Sequence, residues 1–371
     1  MTETILVINA GSSSVKFCLF GREKELPLLG YGKVSDLGNT PAFEAVDDKA
    51  NAKVTNKLNA NASPEDALRT IIDWCHGHKA GWKIMAIAHR IVHGGTEFGE
   101  PVRVTSSIFH RLKQLCPLAP LHQPHNLAAL GIADRLLAHV PQIACFDTAF
   151  HAQHDPLFSS YALPKELADK GIRRYGFHGL SYEWIAHVLR EKYLDLAKGR
   201  VIAAHLGNGA SLCAMLNGRS IDTTMGMTAL DGLPMGTRCG ALDPGAMIYM
   251  IRDLNIAADE LEHTLYEHSG LKGLSGLTND VKALQDSIDP RAAFALDYFA
   301  LRVSQFIAAM AVSIGGIDAI VFTGGIGENA KAVREKIMKQ LVFFGSVPAL
   351  VIPANEERIM AMQTFACLES A

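Results

Sequence analysis

The chain is 371 residues long, with 49% hydrophobic and 20% charged residues and a formal net charge of −3. That length supports two hydrophobic cores, and the charge balance excludes a nucleic-acid binder that works through bulk basicity. Seven dispersed cysteines without a C-x-x-C spacing point to buried reduced thiols, not to a zinc or disulfide framework.

No basic region followed by an apolar run opens the chain. The longest apolar stretch, 306–317, is about half a membrane span. The expectation is a soluble, cytoplasmic protein that engages neither membrane nor nucleic acid.

In chain order, residues 5–9 and 15–20 read as strands joined by the turn "NAGSSS". A strand, a glycine-rich loop and Lys16 are P-loop ingredients. The second glycine, the Ser/Thr after the lysine and the following helix are missing, so the segment reads as a hairpin. Its turn still offers backbone N–H groups and serine hydroxyls to an anion. Lys16 then reads as a supporting charge and not as a phosphate clamp. Residues 46–62 are polar and read as a solvated hairpin or loop.

Helical periodicity follows at 65–76 and 124–138, then a strand at 143–147 that ends in "FDTAFH". Asp147 thus sits at a strand end, a common place for a functional carboxylate in α/β folds. A helix is predicted at 183–197, strands at 201–205 and 211–216, a helix at 292–314, a strand at 318–323 and a helix at 330–341. Strands alternating with helices place the chain in the α/β class.

One internal echo organises the whole. "ILVINAGSSSVKFCLFGR" and "VIAAHLGNGASLCAMLNGR" each run strand, Gly/Ser/Asn turn, strand, Gly-Arg turn, with Gly11 matching Gly207 and Ser12 matching Asn208. This implies two related domains, each opening with a strand–turn–strand unit, facing each other across a cleft.

Histidines and arginines flank glycine-rich turns at "AHRIVHGG", "APLHQPHN", "RYGFHGLS" and "MGTRCGALDPG". An arginine among small residues suits phosphate or carboxylate, because its fork binds two oxygens. Taken singly, each histidine also reads as a structural hydrogen-bonding residue. His89/His93 and His122/His125 have metal-compatible spacings but no partner that completes a zinc site. "TGGIGENA" (323–330) fits G-x-G-x-x-A, yet the acidic residue a dinucleotide site needs about twenty positions on is absent.

At this point the chain resembles the acetate kinase family, within the sugar kinase/Hsp70/actin superfamily. The resemblance rests on "NAGSSSVK", "HRIVHGG", "LAPLH", "FDTAFH", "YGFHG", "HLGNGAS", "MGTRCGALDPG", "FTGGIGEN" and "PANEE", in the family's order. It implies two RNase-H-like α/β domains, 1–147 plus about 355–371 and 148–354, with a nucleotide cleft between them. It implies reversible phosphoryl transfer from ATP to acetate, giving ADP and acetyl phosphate, with Mg²⁺ (or Mn²⁺ in its place) and a homodimeric enzyme. Arg90, Asp147, His178, Arg238 and His122 would be catalytic. Ser12, Lys16, His205, Gly207, Asn208 and Gly209 would face phosphate. Asp280, Val281, Lys282, Gly324, Gly325, Ile326, Gly327 and Asn329 would line the nucleotide. Val92, Leu121, Phe177 and Ala229, with Arg90, would form the acyl pocket, and Asn9 and Glu356 would serve the metal.

The chemistry is coherent without the resemblance. A carboxylate nucleophile is already ionised near pH 7, so no strong base is needed. The task is to hold two anions in line and stabilise spreading charge. Asp147 is therefore read as orienting a neighbouring arginine or metal-bound water, not as a base.

The chain departs from the family's pattern at Gln123 and His125 ("LHQPHN" for "LHNPAN"), at Leu180 and Tyr182 ("FHGLSY" for "FHGTSH") and at Ala229, where a proline is usual. Val281–Lys282 stands where an aromatic–arginine pair is usual. The missing proline predicts a wider acyl pocket, with acetate as main substrate and some use of propionate. The alternatives are a propionate or butyrate kinase of the same family, or an actin- or Hsp70-like nucleotide switch.

Overall fold

Residues 1–370 are described by the computed structural model. The chain divides into two compact units: Met1–Ala149 with the segment from Asn355 onward, and Phe150–Ala354.

The first unit holds an eight-stranded sheet in the order β5-β4-β3-β2-β1-β6-β8-β7. Its strands are β1 Thr2–Ala10, β2 Val15–Gly21, β3 Leu28–Ser35, β4 Ala42–Asp47, β5 Ala52–Lys57, β6 Trp82–Ile91, β7 Val102–Arg103 and β8 Gln142–Phe146. β1 and β2 form the antiparallel hairpin read from the sequence, with Asn9 opposite Lys16. β6 runs parallel to β1 on one side and to β8 on the other, so the ends of β1, β6 and β8 share one edge. The segment 46–62 is the turn and outer strand of the β4–β5 hairpin. Every residue of β5 is exposed, and its lysines keep this edge from pairing with another chain.

Helix Pro64–His76 starts in a capping box, where Asp66 N–H donates to Ser63 Oγ and Ser63 N–H donates back to Asp66. Its Leu68 and Ile71 pack with Leu6, Ile8, Phe17, Phe43 and Trp82. Helix Glu356–Glu369 packs against β1, β6 and β8.

The second unit holds a five-stranded sheet in the order β11-β10-β9-β12-β13. Its strands are β9 Arg200–Leu206, β10 Ala210–Leu216, β11 Arg219–Thr223, β12 Ala319–Thr323 and β13 Ala349–Val351. β9–β10 is the second hairpin, and β12 pairs parallel with both β9 and β13. This order repeats β3-β2-β1-β6-β8 of the first unit, strand for strand and direction for direction. The echo in the sequence is thus an echo in topology.

The 25-residue helix Pro290–Ile314 is long and apolar enough to span a membrane, but half of its apolar window is buried in this unit. Ala295, Phe299, Val303 and Ile307 form its inner face, and it packs on β10 and helix Lys331–Gln340.

Several predicted bounds move. The helix expected at 183–197 starts at Gly179 and breaks at Tyr193, leaving Gly179–Lys192 and the short Leu194–Ala197. "TGGIGENA" is itself a helix, Gly324–Asn329, ahead of Lys331–Gln340. β6 was not foreseen as a strand.

Candidate active site

The first unit gathers Arg90, Asp147 and Glu356 at the shared edge of β1, β6 and β8. Arg90 is the penultimate residue of β6, Asp147 follows β8, and Glu356 opens the last helix. Arg90 Nε donates to Asp147 Oδ1 and Oδ2 at 3.1 Å each, and Nη2 donates to Oδ2 at 2.9 Å. Arg90 Nη1 donates to Glu356 Oε2 at 2.8 Å. Such forked, charge-assisted bonds fix the guanidinium plane as well as its position.

All three side chains are largely buried. Burial pushes the Asp147 carboxyl up to about 6, with Arg90 opposing and Glu356 adding to the rise. Burial disfavours the charge on Arg90, but the two carboxylates outweigh it and hold the guanidinium protonated. Two carboxylates against one guanidinium leave this cluster favourable for a cation.

Around it, Asn126 ties two strand ends together. Its Nδ2 donates to Ala10 O at 2.7 Å, and its Oδ1 accepts from Val92 N–H at 3.1 Å. Gln123, one of the departures from the family's pattern, is buried and clasps the His93 backbone, accepting from its N–H and donating to its carbonyl. His122 stands at the N-cap position of helix Gln123–Leu136 without a side-chain capping bond, and Leu121 is exposed. Ser12 lies exposed in the β1–β2 turn, where Gly11 N–H donates to Ser14 O, and Lys16 is exposed on β2.

The second unit gathers His178, His205, Asn208 and Arg238. His178 is held in the left-handed region (φ 58°, ψ 22°), which costs a residue with a Cβ about 1–2 kcal/mol. Its Nδ1 shares a 2.8 Å hydrogen bond with Ser211 Oγ, which in turn meets the Tyr182 hydroxyl at 2.5 Å. The His178 ring stacks on His205 at 4.2 Å, and His205 Nδ1 bonds Ser181 Oγ. A Cβ on Gly209 would lie 3.3 Å from His178 Nε2 and 3.8 Å from Arg238 Nη1. Both side chains therefore converge on the 207–209 turn, which a bare glycine leaves open.

Arg238 Nη1 donates to Ala229 O at 3.1 Å, and the guanidinium lies 5.9 Å from the Tyr266 ring centre. Among the described residues it has no carboxylate partner. Burial pulls it below the usual arginine range, with Tyr266 and Glu267 opposing. This is the reverse of Arg90: a half-buried cation bonded to a neutral carbonyl and suited to an incoming anion.

Asn208 is oriented by a residue not foreseen. Asn279 Nδ2 donates to Asn208 Oδ1 at 2.9 Å, which fixes the orientation of the Asn208 amide. Gly236 N–H donates to Asn208 O, and any side chain on Gly236 would collide with the Asn208 amide. The arginine-bearing turn and the asparagine turn are thus stapled together.

The nucleotide candidates lie beside these turns. Gly324 N–H is already used, donating to Glu328 Oε1, and Asn329 Nδ2 turns back to Gly325 O. Gly325 has open space where a side chain would stand, Gly327 is buried, and Ile326 is half-buried. Gly207 sits 4.0 Å, by its Cβ direction, from Gly325 N. Asp280 caps helix Val281–Asp286 through Ala283 N–H, Val281 is buried in the unit's core, and Lys282 is exposed. Phe177 is buried and Ala229 half-buried.

No group of three or more His, Cys, Asp or Glu residues among those described could hold a metal by itself. Glu356, a carboxylate of this net-negative cluster, and Asn9, on the strand β1 that pairs with β6, offer hard oxygen donors. That fits Mg²⁺, which keeps waters and binds through one or two carboxylates plus substrate phosphates.

A model of the acetokinase family matches residues 4–361. Acetate kinase from Rhodopseudomonas palustris is 45% identical over 349 residues, covering 93% of this chain and 88% of the relative. Among solved structures, acetate kinase from Porphyromonas gingivalis superposes with TM-score 0.88 at 32% identity, covering 99% of this chain and all of that one. A propionate kinase from Francisella tularensis superposes with TM-score 0.91 at 34% identity, covering 97% and 98%.

Proposed function

The chain belongs to the acetokinase family, and on that premise we propose that it transfers the γ-phosphoryl group of ATP reversibly to acetate, forming acetyl phosphate and ADP. One observation carries the mechanistic reading. The two arginines are prepared oppositely, Arg90 clamped by Asp147 and Glu356, and Arg238, beside His178 and Asn208, bonded to no carboxylate among the described residues.

The acceptor carboxylate is ionised at neutral pH, its ordinary range being about 4. No residue has to remove a proton from it. The first unit supplies Arg90 to orient the acceptor, with Val92 and Leu121 against its methyl group. The second supplies Arg238, His178 Nε2–H and the Asn208 amino group to the equatorial phosphoryl oxygens, with Phe177 and Ala229 completing the acyl surface. Such fixed donors act mainly by electrostatic stabilisation of the spreading charge.

Asp147 holds Arg90 in its plane and takes no proton from acetate. Glu356 and Asn9 would hold Mg²⁺, which when bound would neutralise charge on the phosphate oxygens. Ser12, Lys16, His205, Gly207, Gly209 and His122 surround the phosphates. Asp280, Val281, Lys282, Gly324, Gly325, Ile326, Gly327 and Asn329 accompany the nucleoside.

The enzyme works in the cytoplasm as a homodimer. Helix Pro244–Arg252 buries none of its residues, and Ile248, Tyr249 and Ile251 are exposed with Leu254 beyond it. An apolar surface of this kind is the proposed seat of the second copy.

Comparison of kcat/KM for acetate, propionate and butyrate tests the substrate. Acetate comes first and propionate within about one order of magnitude, because one methylene is worth about 1–3 kcal/mol in an apolar pocket. A butyrate optimum would make the chain a butyrate kinase.

A further inference from the structure

His151 closes "FDTAFH", and nothing in the reaction above uses it. It is buried in the second unit, with Nε2 3.0 Å from Phe177 O and Nδ1 2.8 Å from Ser220 Oγ on β11. A carbonyl oxygen only accepts, so Nε2 carries the proton. The neutral ring then accepts at Nδ1 from the Ser220 hydroxyl. That spends the single Ser220 proton, and its oxygen accepts from His154 Nε2–H at 2.7 Å and from the Cys213 thiol at 3.2 Å. Every proton in this buried chain is thereby fixed by one backbone carbonyl.

That carbonyl belongs to the peptide that joins Phe177 to His178. The same loop is pressed onto the imidazole face: Gly176 has φ +79°, and a Cβ there would collide with His151 Cδ2 and Thr223 Cγ2. Tyr175 and Gly176 N–H groups both donate to Gly226 O, and Tyr182 N–H donates to His178 O. The left-handed turn at His178 is therefore gripped on both sides, and His151 holds the one carbonyl between its two functional side chains.

We propose that His151 is a positioning residue: its Nε2–H bond to Phe177 O locks the peptide that presents His178 to phosphate and Phe177 to the acyl group. The inference rests on the roles given to those two residues above. The titratable and charged neighbours are His154, with Arg173 and Arg174 beside it, Tyr182 on helix Gly179–Lys192, Cys213 on β10 and Asp222 on β11. Burial, with His154 adding, keeps the His151 ring neutral well below the ordinary histidine range.

The test compares His151→Leu and His151→Gln with the parent protein. Leucine fills the space without a donor, whereas glutamine places an amide N–H near the position of Nε2. H151L lowers kcat about tenfold or more, a loss of about 1.4 kcal/mol in transition-state stabilisation, and H151Q recovers most of it. Equal losses in both variants, tracking equal falls in Tm, would reduce His151 to core packing and overturn the proposal, as would a fully active H151L. A second readout needs no substrate: long-range ¹H–¹⁵N spectra of the free protein, with the His151 signal assigned by its loss in H151Q. A neutral Nε2–H tautomer throughout pH 8 to 5 is the expected result. An Nδ1–H tautomer, or titration inside that range, would overturn the proposal even if the kinase reading stands.

Discussion

If Asp147 acts through Arg90, removing both must cost no more than removing Arg90 alone. Three N–H···O contacts of 2.9–3.1 Å join the pair, and both side chains are largely buried. Unit charges about 4 Å apart attract by about 4 kcal/mol at an effective dielectric constant of 20. Breaking such a pair from one side costs about 3–5 kcal/mol, because the other charge stays buried. Glu356 remains to hold Arg90 Nη1 and offsets part of that loss. Asp147→Ala is therefore expected to lower kcat/KM for acetate about 10²-fold, a loss near 3 kcal/mol. Arg90→Ala should cost at least as much, and the double variant should match R90A within a few tenths of a kcal/mol, a coupling of about 3 kcal/mol. The assay is steady-state kinetics on all four proteins at saturating ATP, with Tm values to confirm folding. Additive losses would refute the reasoning and make Asp147 an independent base or metal ligand.

Three further outcomes follow from the same clusters. Arg238→Ala lowers kcat by about 3–4 kcal/mol, 10²–10³-fold, through loss of oriented charge; a near-parental kcat in steady-state assays would contradict its placement. Asn279→Ala frees the Asn208 amide to rotate and lowers kcat/KM for ATP about tenfold, roughly one hydrogen bond to a charged group, while KM for acetate stays within about twofold. The Asp147 value near 6 lies above that of an unfolded carboxyl, so its contribution to stability is full below about 4 and is lost as pH rises through 6. Activity runs the other way: protonation releases Arg90, so kcat/KM for acetate falls as pH drops from 7.5 to 5.5, and Asp147→Asn flattens that limb.

The sequence carried the fold because the two hairpins are built alike. Each presents a β-rich run, a small-residue turn and a second β-rich run, and the structure shows the same five-strand order around each. β6 carries no strand signature because "WKIMAIAHRI" places a histidine and an arginine just before its last residue. Its apolar positions run nearly unbroken, as in a strand buried on both faces, where alternation is lost.

The motif residues were legible as candidates, and the structure gathers Arg90, Asp147 and Glu356 in one cluster and His178, His205, Asn208 and Arg238 in another. What stayed hidden was the supporting layer. Ser211, Asn126 and Asn279 have no periodicity or spacing that marks them, because a single hydrogen bond to a distant turn leaves no trace along the chain. Tyr182 was visible only as a departure. Its burial under Ser211 shows a hydroxyl reaching the His178 network from that position.

The most direct measurement is to trap the product. With ATP, Mg²⁺ and acetate, hydroxylamine converts an acyl phosphate to a hydroxamate that is read by its ferric colour. The account predicts acetohydroxamate in equal molar amount to ADP, dependent on both acetate and enzyme, and lost with Arg238→Ala. ADP release without hydroxamate, or hydroxamate only with longer carboxylates, would contradict it.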